Sequence, residues 1–208
     1  MKKLLTIASL MAALSGVASA APYVLPSPQP GALTPYDIQP HYELDAVYTI
    51  SGESGAPDVY GVRLSFNLYS SGEDSVRHQF SLNVTPQMGS DDIMYDGEAL
   101  DVDLKFLPIT CGYDLNLEIT DKTLFYMGGK AGYTLAQTEI KDKETGYKDK
   151  DNCSGFTFSV GAGLKYQASD AVMLKLGYEF GKIYLEDNAD EDAIYTGHSI
   201  ILGVSCQF

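Results

Sequence analysis

The chain has 208 residues, with 28 acidic side chains against 14 basic ones, a formal net charge of −14, and 45% hydrophobic content. So acidic a chain offers no basic patch and repels a phosphate backbone, which excludes a nucleic-acid partner. The apolar content excludes general disorder, and beyond the first twenty positions no run of about 18 apolar residues provides a spanning helix.

The first element is a leader. Lys2 and Lys3 give it a positive start, Leu4 to Val17 form a short apolar stretch, and Ala18-Ser19-Ala20 offer a small-residue cleavage site. That is the layout of a secretory signal peptide, so residues 1–20 are expected to be removed. Loss of the two lysines leaves 12 of the 14 basic residues against 28 acidic ones. No Cys follows the cleavage site, which argues against a lipoprotein anchor. Residues 21–39 are rich in proline (Pro22, Pro26, Pro28, Pro30, Pro35) without periodic patterning, and read as an extended periplasmic leader.

From residue 40 to residue 208 the texture is alternation. In 156–166, Phe156, Phe158, Val160, Ala162, Leu164 and Tyr166 share one parity, and Thr157, Ser159, Gly161, Gly163 and Lys165 the other. Period two marks a strand with one apolar face. Tyr42–Ile50, Tyr60–Leu68, Val76–Val84, Leu100–Phe106 continuing to about Leu117, Phe125–Leu135, Val172–Phe180 and Ile194–Phe208 follow the same rule, which gives eight strands. Leu107-Pro108 breaks the parity of the fourth and predicts a bulge there. Gaps near 71–74, 118–122 and 168–170 are tight, whereas 51–58, 88–98, 138–153 and 186–193 read as longer loops. Short turns at one end and long loops at the other predict an all-β, eight-stranded antiparallel transmembrane barrel with both chain ends in the periplasm.

Glycine decides which face is inside. Gly61, Gly112, Gly128, Gly132, Gly161, Gly163, Gly177, Gly181 and Gly203 all fall on the polar parity. On a solvated surface they would only weaken strands, but in a narrow lumen they make room for long polar side chains. The lumen is therefore expected to hold a charge network of Glu43, Asp45, Arg63, Arg77, Lys130, Lys165, Lys175 and Glu179. Desolvated charges must pair, so Arg63 and Arg77 are each expected within reach of one of Glu43, Asp45, Asp101, Asp103 or Glu179.

Three segments, Gly128-Gly129-Lys130-Ala131-Gly132-Tyr133, Gly161-Ala162-Gly163-Leu164-Lys165-Tyr166 and Leu176-Gly177-Tyr178-Glu179-Phe180, together with the terminal Phe208, resemble the small outer-membrane barrels of the OmpA/OmpX type. The resemblance covers roughly 40–208 and implies residence in the bacterial outer membrane. It also implies that Val204 and Phe208, within the alternation Ile200, Leu202, Val204, Cys206, Phe208, form the signal read by the barrel-assembly machinery. No peptidoglycan-binding domain follows the barrel, so the anchoring role of two-domain relatives is not implied.

Candidate chemistry is sparse. His41 and His78 fall near the periplasmic strand ends, and His198 points outward beside an inward Ser199, since strand neighbours face opposite ways. The acidic stretch Glu186-Asp187-Asn188-Ala189-Asp190-Glu191-Asp192 has oxygen ligands but lacks the glycine and spacing of a calcium loop. No catalytic, cofactor or metal site is expected. Cys111 and Cys206 face lipid on distant strands and cannot bridge; Cys153, at the outer rim beside Asp151, is expected to be the reactive thiol. The expected function is a non-enzymatic structural or surface-interaction barrel with a plugged polar lumen and acidic extracellular loops. Its partners would be outer-membrane lipid, lipopolysaccharide, the assembly machinery and a surface ligand held by the loops, with 138–153 the leading contact. A small pore for ions or solutes and a lipid-modifying enzyme are the other classes open at this level.

Overall fold

The computed structural model describes residues 38–53, 56–71, 76–95, 98–169, 171–186 and 192–207. The signal segment, most of the leader and Phe208 lie outside them. Nine strand segments follow in order: Ile38–Ser51 (β1), Val59–Ser71 (β2), Val76–Val84 (β3), Gln87–Tyr95 (β4), Glu98–Thr120 (β5), Thr123–Asp142 (β6), Lys148–Ser169 (β7), Val172–Glu186 (β8) and Asp192–Gln207 (β9). The first already begins within the stretch assigned to the leader.

All pairings are antiparallel, and the ring closes because β1 pairs with both β2 and β9. Nine segments make only eight staves. On β2, Leu64 opposes Val84 of β3 and Gly61 opposes Gln87 of β4. On β5, Ile109 opposes Val84 and Phe106 opposes Gln87. The count of residues between these pairs is equal on every strand, so β3 and β4 are one stave. Its interruption at Thr85-Pro86 has a local cause: Pro86 and Pro108 each lack a ladder donor. The backbone compensates where it can, with Thr85 N donating to Pro108 O at 3.0 Å and Val62 N to Pro86 O at 3.2 Å.

The bulge predicted at Leu107-Pro108 is absent. Leu107 opposes Leu135 and Pro108 opposes Thr134 in unbroken register. What changes there is the chemistry of each face. Below this level the outward positions of β5 are Ile109, Cys111, Tyr113 and Leu115, with Thr110, Asp114 and Asn116 buried inside; above it Val102, Leu104 and Phe106 are buried inside, while Asp101, Asp103 and Lys105 occupy outward positions. An apolar-to-polar exchange between faces looks like a slip of parity in sequence, although the strand runs straight through.

The nine glycines on the polar parity face the lumen, and two show why glycine is needed. A Cβ on Gly177 would lie 1.8 Å from the Tyr126 hydroxyl, and one on Gly203 1.9 Å from Asp45 Oδ1. Each absent side chain is the space occupied by a lumenal one.

The staves differ in height. Strands β5, β6 and β7 have 23, 20 and 22 residues, against 14, 13, 15 and 16 in β1, β2, β8 and β9. Most of 88–98 and 138–153, expected as loops, is therefore paired strand, and with β4 it forms a raised wall above one side of the barrel. The tip at 143–147 is a tight turn: Gly146 adopts φ 71°, a conformation favoured for glycine, and its N donates to Asp142 O at 2.9 Å. Across the mouth, the β1–β2 connection is pinned by Asp58, which accepts from Tyr48 Oη at 2.6 Å and Ser51 N at 3.0 Å.

Candidate functional site

The lumen is layered. In its lower part Gln79 donates to Asn67 at 2.8 Å, and Lys165 donates to Asn116 at 2.9 Å and to Gln79. Lys165 and Lys175 approach the ring of Tyr126 from 4.9 and 5.2 Å, so a buried aromatic face takes part in holding both cations. Lys175 pairs with Glu43 and, at 3.1 Å, with Asp45. Above it Arg63 grips Glu179 bidentately at 2.9 and 2.7 Å and reaches Asp45 at 3.7 Å, and Lys130 also binds Glu179.

The buried charges balance. Glu43, Asp45, Asp114 and Glu179 stand against Arg63, Lys130, Lys165 and Lys175. Desolvation makes such a set costly unless each charge is matched; the long cations of β2, β6 and β8 meet acids on β1 and β8, while Lys165 of β7 reaches the amide oxygens of Gln79 and Asn116.

Seven of the eight residues assigned to the network from sequence are thus buried in the lumen, and Arg77 is not. It lies exposed at the short-turn rim and pairs with Glu118 rather than with any expected acid. Asp101 and Asp103 are also corrected, because both occupy outward positions on the raised wall. Sequence reading missed Asp114, Tyr126 and Asn116. Asp114 and Asn116 share the inward parity of Gly112, which could have found them; Tyr126 escaped because an aromatic on the polar parity was not weighed.

A second, apolar layer lies above the network. Val59, Val102, Leu104, Phe106, Ala136, Ile183, Leu185 and Tyr195 form a buried apolar cluster, with Ala56, Ile93 and Cys153 packed against it. The Tyr195 ring meets Phe106 at a 5.0 Å centroid separation, and its hydroxyl donates to Pro57 O at 3.3 Å. Cys153, expected as the reactive rim thiol, faces inward against this cap, because it opposes the inward Ala136. Cys111 is exposed on the outward face.

The outward face carries an apolar belt. On β6 it runs from Phe125 to Leu135, close to the ~9–11 residues of a tilted membrane-spanning strand. Above it the wall carries charge: Lys143 pairs with Asp92 at 2.6 Å and Lys148 with Glu139 at 3.0 Å. The hydrogen bond from Lys148 holds the Glu139 carboxyl below its ordinary range, and the same contact raises Lys148. Lys105 and Lys141 lie beside these acids. His198 binds the Tyr178 hydroxyl through Nδ1 on the outer face, whereas Ser199 lies inside, 2.8 Å from Thr49. His78 contacts Tyr113 Oη at 2.6 Å, also outside. Within the acidic stretch 186–192, Glu186 and Asp192 close the β8–β9 ladder; residues 187–191 lie outside the described residues.

A closed antiparallel ring with an apolar belt outside and paired charges inside is what a lipid bilayer demands of strands. The outer membrane protein beta-barrel domain matches residues 6–208. The chain belongs to this family. It is accordingly a protein of the bacterial outer membrane. Among solved structures it is similar to Neisserial surface protein A, with a TM-score of 0.57 at 14% identity over 81% of this chain and 97% of that one. It is also similar to Ail, the attachment invasion locus protein of Yersinia pestis, with a TM-score of 0.50 at 16% identity over 82% and 99%. At such identities the likeness is one of fold. No curated protein matches the sequence.

Proposed function

We propose that this barrel is a non-enzymatic surface-interaction protein whose lumen is plugged and whose raised wall makes the contacts. The observation that carries this reading is the exchange of polarity at the level of Leu107. Beneath it a barrel wall is built for lipid outside; above it the same strands are built for water outside, with charge outward and an apolar cap inward. A strand that continues past the membrane with such patterning places a rigid, charged sheet at the cell surface. Rigid sheets position binding side chains at lower ordering cost than loops do.

The wall's outward face interleaves both signs, with Asp92, Asp101, Asp103 and Lys105 on β4 and β5, Glu139 on β6 and Lys148 and Lys150 on β7, so it suits a partner that carries both signs. This replaces acidic loops as the contact element, and the β6–β7 tip remains part of it. The outward belt would touch outer-membrane lipid, its upper edge lipopolysaccharide, and Val204 with Phe208 would be read by the assembly machinery. The names of the two similar barrels, a surface protein and an attachment protein, point the same way.

A pore requires a continuous wet path. Here the ion-paired network and the apolar cap stand in series, which favours a plug. The test has two parts. Purified, folded barrel in planar bilayers should pass no current above background. A variant with both wall hairpins cut back to the height of β8 should keep its heat-resistant fold and lose binding in a surface-ligand screen that the intact barrel passes. Steady conductance of the intact barrel, or full binding by the trimmed one, would overturn the reading.

A further inference from the structure

Between the ion-paired network and the apolar cap lies a chamber of about 70 Å³. Arg63, Lys130 and Glu179 line it, and all three are buried. Thr49, Thr85, Gln87, Ser159 and Ser199 bring hydroxyl and amide groups to its wall. We propose that this chamber is a binding site for a small inorganic anion of halide size.

Charge is the first reason. The lumen is neutral as a whole but polarised. Of the three cationic residues on its lining, Lys182 opposes the outward Phe158, which leaves Arg63 and Lys130 facing the chamber against one carboxylate, Glu179. The other three buried carboxylates, Glu43, Asp45 and Asp114, are not part of that lining, and Lys175 already serves Glu43 and Asp45. Asp45 meets Arg63 only at 3.7 Å, against 2.7 Å for Glu179. A recess walled by buried side chains, with two cations facing one carboxylate, draws a counter-ion.

Donor supply is the second. Thr85 Oγ1 accepts from Arg63 Nε at 3.4 Å and so directs its own proton elsewhere. Gln87 spends one amide hydrogen on Thr49 at 3.2 Å and keeps another. Lys130 binds Glu179 and, with three donors, has hydrogens left to give. Ser159 sits directly across the ladder from Lys130, and Ser199 across from Glu179. The two cations disfavour a metal ion. With about 10–15 Å³ of cavity space enough to hold one water, the chamber admits a halide together with a few waters.

The probe is sodium bromide with the intact, folded barrel. Crystals soaked in bromide should show an anomalous peak in the chamber within hydrogen-bonding reach of Lys130 Nζ. Thermal unfolding should shift upward with bromide relative to sodium gluconate at equal ionic strength, and the shift should saturate. Lys130→Met should weaken the bromide response roughly tenfold, the loss of one charge-assisted contact. Ser159→Ala, which leaves every ion pair in place, should weaken it less and guards against misfolding of the first variant. Midpoints that follow ionic strength alike in both salts, or bromide peaks confined to the outer surface, would overturn the site. A chamber peak with a response that neither variant alters marks an adventitious ion only and would overturn it equally.

Discussion

The belt and the raised wall are made from the same strands, yet they are folded by opposite rules. On β7, Phe156, Val160 and Leu164 face outward and are exposed in the belt, while Lys148, Lys150 and Asn152 take the same outward face a few residues higher. On the inside the order reverses: Lys165 is buried low in the lumen, and Cys153 packs on the apolar cap near the top. A backbone in continuous register can thus carry two solvents on one face. The hydrogen-bond ladder fixes where each side chain points, and the medium outside fixes which chemistry is tolerated there.

The sharpest way to break this comparison is to attack the interior where it is most polar. Glu179 holds both Arg63 and Lys130, so Glu179→Ala leaves two buried cations short of a partner. The expected cost is about 3–5 kcal/mol. Urea unfolding of the refolded barrel in lipid vesicles, followed by circular dichroism, measures it; a loss under about 1 kcal/mol, the size of an exposed ion pair, would mean the network is not buried in solution.

Next in size is a paired test on one strand and one face. Val160→Lys puts an ammonium into the lipid-facing belt and should cost about 2–3 kcal/mol, as charges near the bilayer midplane do. Asn152→Lys makes the same change on the wall and should stay within about 0.5 kcal/mol. Equal costs for the two would abolish the distinction between belt and wall.

The smallest effect concerns the wall alone. The Glu139 carboxyl is held below its ordinary range by its bond from Lys148. A depressed folded value means that this contact acts above the ordinary pKa and is lost as pH falls through the lowered one. Carbon-detected titration should find the Glu139 midpoint below that of an unpaired glutamate, and Lys148→Met should return it upward. An unchanged midpoint in the variant would show that the pair does not persist in solution.

Much of the fold was legible because period two needs no tertiary information. Eight alternating segments, the tight turns and the glycine parity follow from residues such as Gly128, Gly163 and Gly203 alone, as does the inward set from Glu43 to Glu179. What misled was the use of one polarity rule for the whole chain. It turned the exchange at Leu107-Pro108 into a bulge, placed Asp101 and Asp103 inside, and read the paired ends of β4 to β7 as loops. Arg77 had the correct parity, but parity does not give height, and the rim leaves it exposed beside Glu118.

By itself, then, the sequence determined which residues share a face, since strand geometry alternates whatever surrounds it. It also determined that the lumen must hold charges of both signs, because they lie on the glycine parity; the balance of four against four came only with Arg77 outside and Asp114 inside. Only the tertiary structure decided how high each strand rises, where the outer medium changes from lipid to water, and which cation meets which acid. Those depend on register between strands far apart in the chain, such as Arg63 on β2 and Glu179 on β8, and no local pattern encodes a distance across a closed ring.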